Sequence, residues 1–86
     1  MNCIFSSHAM LEMQNRGISK SMVEAVLATP DQIVNEYGGL KAYQSKAIFE
    51  NQKMYLVRVI VDDTLDPIKI ITVYRTSKFE KYWRTS

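Results

Sequence analysis

The hydrophobic rhythm of the chain changes at Pro30. Before it, apolar residues recur at helical spacing; after it, they alternate at period two. Residues 8–15 read as a first helix, preceded by Ser6 and Ser7 as cap candidates and ended by Gly17, which readily supplies a left-handed C-cap. Ser19 or Ser21 can cap a second helix, with Met22, Val23, Val26 and Leu27 as its apolar stripe and Pro30 as its limit. Residues 32–37 predict a strand, Gly38-Gly39 a turn, and residues 40–44 its hairpin partner, resuming at 47–50. Residues 54–61 (MYLVRVIV) and 68–74 (IKIITVY) are β-branched, nearly continuous apolar runs of the kind central strands need. The expected fold is α+β: an N-terminal helical hairpin on one face of a twisted antiparallel sheet of about four strands, with a short C-terminal helix or tail.

Alternation fixes which residues share a face. Tyr55, Val57, Val59 and Val61 form one uninterrupted set and Ile68, Ile70, Thr72 and Tyr74 another, so both are expected beneath the helices. That choice puts Arg58, Lys69 and Arg75 together on the outer face, because burying an unpaired cation under the helices is costly. Arg58 interrupts the most apolar strand and needs water, a carboxylate or a ligand. Glu36 and Glu50 are its candidate structural partners; a phosphate clamped between Arg58 and Arg75 is the functional alternative, since a guanidinium fork matches phosphate oxygens.

At 86 residues, 47% of them hydrophobic and 23% charged, the chain has the length and composition of one soluble globular domain. No apolar run approaches the ~20 residues that span a bilayer, and the N-terminus lacks a secretory pattern, so the expected location is the cytoplasm. A single cysteine, Cys3, and a single histidine, His8, make neither a disulfide nor a zinc-type ligand set, so no metal or cofactor is expected. The charge changes this picture more than the composition does. Residues 1–68 carry six Lys/Arg against eight Asp/Glu, a net −2, while residues 69–86 carry five against one, a net +4. Such asymmetry points to an anionic partner.

Two further groups carry candidate chemistry. His8, Glu12 and Arg16 stand four residues apart, which aligns them on one helical face, where His8 could serve as general acid or base or the three could form a surface ion-pair ladder. In the terminal segment, Phe79, Tyr82 and Trp83 form an i, i+3, i+4 stripe that can dock on the sheet edge, leaving Lys78, Lys81 and Arg84 exposed. Tyr74, Tyr82 and these cations could stack on bases and hold phosphates.

FSSHAMLEMQNRGIS, with VEAVLATPDQIV after it and YLVRVIV and IITVYRTSKFEKYW at the far end, resembles a bacterial and archaeal domain-of-unknown-function family that opens F-S-x-H-A-x-x-[R/K]-M-x-x-R-G-I-S. The match holds at His8, Ala9, Met13, Arg16, Gly17, Ile18 and Ser19 and departs at Glu12, where that pattern has a cation. The family is similar in layout to the RelE, ParE and BrnT toxins of toxin-antitoxin modules. The resemblance implies a metal-independent ribonuclease with His8, Arg58, Tyr74 and Arg75 at the scissile phosphate. Arg16, Lys69, Lys78, Lys81, Tyr82 and Arg84 would bind the nucleic acid, and the implied partners are RNA, on or off the ribosome, or an acidic antitoxin-like protein. A non-catalytic binding module is the alternative, and self-association through the strand at 32–37 is a third reading.

Overall fold

The computed structural model describes residues 2–85. Its elements follow in the order β1 (Cys3–Phe5), α1 (Ser7–Arg16), α2 (Lys20–Ala28), β2 (Gln32–Asn35), a 3-10 turn (Tyr37–Gly39), β3 (Lys41–Ile48), β4 (Met54–Asp62), β5 (Ile68–Thr76) and α3 (Phe79–Tyr82). The five strands form one mixed sheet in the order β1-β5-β4-β3-β2. Four strands were expected, all antiparallel; the fifth is the N-terminal Cys3–Phe5, which pairs parallel to β5. Three residues are too few to show a period-two pattern, and a parallel partner sixty-five residues away leaves no local turn signal.

Local chemistry sets the helix ends. The Ser6 hydroxyl accepts from the Ala9 amide, and Gly17, at φ 65°, closes α1 in the left-handed conformation. Ser19 caps α2 by accepting from the Met22 amide. The helices are less a hairpin than two neighbours laid separately on the sheet, α1 along β5 and α2 over β3 and β4. Ala9, Met13, Ile18, Val23, Val26 and Leu27 meet Val57, Val59, Val61, Ile70 and Val73 in the main core.

A β-bulge in β5 corrects the expected facing of side chains. Ile60 pairs with Thr72 and Val61 with Ile70, leaving Ile71 as an extra residue. The insertion reverses the alternation beyond it. Val73 and Arg75 therefore join the helix side, while Thr72 and Tyr74 move to the outer face beside Arg58. The bulged strand is tied to the first helix at this point, because the Ser6 hydroxyl that caps α1 also donates to the Ile71 carbonyl at 2.9 Å. Edge strand β2 leaves Ile33 and the nearby Tyr37 exposed. Among the described residues no helix is long and apolar enough to cross a membrane.

Candidate active site

The outer face of the sheet holds a polar cluster built around Arg58, which is 1% exposed. Each of its guanidinium nitrogens donates a hydrogen bond: Nε to Gln44 Oε1 at 2.7 Å, Nη1 to the Tyr74 hydroxyl at 2.5 Å and Nη2 to Glu36 Oε2 at 3.0 Å. Strand register explains the convergence. Gln44 on β3 and Tyr74 on β5 are the direct cross-strand neighbours of Arg58 on β4. Glu36 stands at the turn after β2, where its amide donates to the Leu40 carbonyl. Val34, Ala42 and Ile60, with Leu40 and Tyr74 against them, form a small apolar floor beside the cluster.

The terminal segment roofs this cluster. Tyr82 lies with its ring 4.2 Å from the Arg58 guanidinium carbon. Gln44, fully buried, donates to Gln32 Oε1 at 2.9 Å and to the Tyr82 carbonyl at 3.1 Å. Gln32 in turn grips the Arg84 backbone twice, donating to its carbonyl at 2.6 Å and accepting from its amide at 3.0 Å. Two glutamines thus attach the roof to the sheet. Lys46 adds its ammonium over the Trp83 ring at 4.2 Å.

The two tyrosines differ in acidity. Tyr74 is pushed above the ordinary phenol value, chiefly by burial. Tyr82 is drawn below it, first by hydrogen bonding from Tyr74 and further by the positive charges of Lys81 and Arg58. Hydrogen bonding and nearby positive charge thus favour the phenolate of Tyr82 over that of Tyr74. Glu36 completes the set: its side chain is 33% exposed, and Oε1 makes no hydrogen bond among the described residues. The cluster therefore holds a carboxylate oxygen and a phenol of lowered pKa close to one fixed positive charge.

The expected site residues divide between the two faces. Arg58, Tyr74 and Tyr82 come together, and Lys78, Lys81 and Arg84 are exposed on the segment above them. Lys69 shares the outer face but pairs with Asp62, four residues and so ~13 Å along β4 from Arg58. Arg75 is the main correction. It points to the helix side and rests on the rings of Phe49 and Tyr55, at 4.2 and 4.7 Å, so it cannot share a phosphate with Arg58. His8 is exposed on α1, across the sheet from Arg58, and Arg16 on the same helix is paired with Glu12 at 2.6 Å. Phe79, in the four-residue α3, and Trp83, the extended residue that follows it, are only half-buried, and their segment crosses the outer face from Arg58 to Gln32 on edge strand β2.

A family model described as Domain of unknown function (DUF4258) matches residues 5–75. The chain belongs to that family. Glu36, Gln44, Arg58 and Tyr74 fall inside the DUF4258 match, and Tyr82 with the rest of the roof falls after it. No curated protein and no solved structure gave a match. Within this DUF4258 chain, sequence reasoning named Glu36 only as a structural partner of Arg58 and missed Gln32, Gln44 and Lys46. The available signal was period two: Gln44 falls in step with Ala42 on β3, at a position where an isolated amide must find buried partners.

Proposed function

We propose that this protein binds RNA on the outer sheet face and cleaves its phosphodiester backbone without a metal ion, using Glu36 and Tyr82 for proton transfer. The observation that carries the reading is the pairing of a half-open carboxylate and an acidified phenol about one buried arginine. Glu36 Oε1 takes the proton of a ribose 2′-hydroxyl, and the freed oxygen attacks the neighbouring phosphorus. As the bond from phosphorus to the 5′-oxygen breaks, Tyr82 gives that oxygen its proton. The products are a 2′,3′-cyclic phosphate and a 5′-hydroxyl end. Arg58 lies behind both groups and supplies positive charge in a water-poor setting as the phosphorane forms. Lys78, Lys81 and Arg84 attract the strand at longer range.

Activity that needs protonated Tyr82 falls as pH rises through the lowered phenol value, so the alkaline limb of the rate profile belongs to this residue. Resemblance to the RelE, ParE and BrnT layout adds a cellular expectation: growth arrest on induced expression, relieved by an acidic protein covering the same face. Binding without cleavage is the second reading. It is favoured by the burial of Arg58, whose nitrogens are all occupied within the fold. End-labelled RNA incubated with the protein and a chelator separates the two: cyclic phosphate ends support cleavage, and retarded but intact RNA supports binding alone.

A further inference from the structure

Beside the Arg58 cluster lies a cavity of about 300 Å³, lined by Lys46, Phe79, Glu80, Trp83 and Thr85. Two aromatic rings give it apolar walls. Its two charged groups are opposite in sign, yet among the described residues they form no ion pair with each other, and Glu80 makes no side-chain hydrogen bond. Lys46 is held over the Trp83 ring. The pocket therefore keeps an ammonium donor and a carboxylate acceptor apart, each with hydrogen-bonding capacity to spare.

We propose that this pocket takes a guanine base, a selectivity that rests on the RNA reading above. Guanine alone among the four bases presents a carbonyl acceptor, O6, next to two adjacent donors, N1–H and the N2 amino group. A carboxylate accepts from both donors while an ammonium donates to O6, and the ring stacks on Trp83 or Phe79. Adenine and cytosine turn an unprotonated ring nitrogen toward the carboxylate, which repels it, and uracil offers a single donor flanked by carbonyls. The position also suits a nucleotide adjacent to the cleaved bond. Lys46 is two residues along β3 from Gln44, the direct neighbour of Arg58, a separation of ~7 Å.

Trp83 is the chain's single tryptophan, so its fluorescence reports occupancy directly. Titration of the full chain with guanosine, adenosine, cytidine and uridine 5′-monophosphates should show guanosine monophosphate binding about tenfold or more tightly than the others. Glu80→Gln, at an exposed position, should abolish that preference while leaving the melting temperature unchanged. Equal affinities, no change in fluorescence, an equal response to inorganic phosphate, or a preference surviving Glu80→Gln would each overturn the assignment. The nuclease reading fails separately: guanine preference without RNA cleavage would refute the chemistry and keep the pocket, and cleavage without base preference would do the reverse.

Discussion

On the helix side of the sheet, Val57, Val59, Val61, Ile70 and Val73 meet Ala9, Met13, Val23 and Leu27 across an apolar interface. On the other side the same central strands turn Arg58 and Tyr74 toward Gln44, Glu36 and a roof attached by two glutamines. The first layer is stabilised by burial, which is non-directional and tolerant of detail. The second depends on satisfying specific donors and acceptors, and among the described residues no buried side-chain nitrogen or oxygen lacks a partner. A fold that needed only a core would finish with the first. The second layer holds a charge, a carboxylate and two phenols together.

Substitutions can break this contrast. Leu27→Ala removes a fully buried side chain from the helix side and should cost about 2 to 5 kcal/mol in denaturant unfolding, with cleavage per folded molecule unchanged. Arg58→Ala should cost about 3 kcal/mol, the low end for a broken buried pair because Glu36 is one-third exposed, and should abolish cleavage as well. Gln44→Ala strands the Arg58 Nε and the Tyr82 carbonyl, for about 1 to 3 kcal/mol. Its distinguishing result is faster proteolysis after residue 76 before global unfolding, because the roof loses one attachment. At the small end, Lys78→Ala and Lys81→Ala should each shift stability by less than about 0.5 kcal/mol, as exposed substitutions do. Affinity for single-stranded RNA should nonetheless fall, along with the slope of affinity against salt.

The elements that sequence made legible are those with local signals. The caps at Ser6, Ser19 and Gly17, the two apolar strands and the turn at Gly38-Gly39 each announce themselves within a few residues. Arg58 also declared itself, as a cation breaking an apolar run; of its two candidate partners, Glu36 and Glu50, it is Glu36 that pairs with it. The bulge at Ile71 left no mark, since an isoleucine fits a regular strand as well as a bulged one, and it reversed the facing of Tyr74 and Arg75. The resulting pairing of Tyr74 with Arg58 could not be read from alternation. Nor could the roof, whose attachments through Gln32 and Gln44 span fifty-two and thirty-eight residues.

The proposed mechanism rests on Glu36 and Tyr82 acting as a proton-transfer pair about Arg58. It is tested most directly by single-turnover cleavage of a labelled single-stranded RNA, in chelator, by the wild type, Glu36→Gln and Tyr82→Phe, each assayed well below its own melting temperature and per folded molecule, because Glu36→Gln leaves the buried Arg58 charge without its carboxylate and lowers stability. The wild type should leave 2′,3′-cyclic phosphate ends, and either variant should lose about 10²- to 10⁴-fold in rate. Tyr82→Phe should also lose the alkaline limb of the pH profile. A wild type that leaves the RNA intact, or folded variants that cut at the wild-type rate, would contradict it.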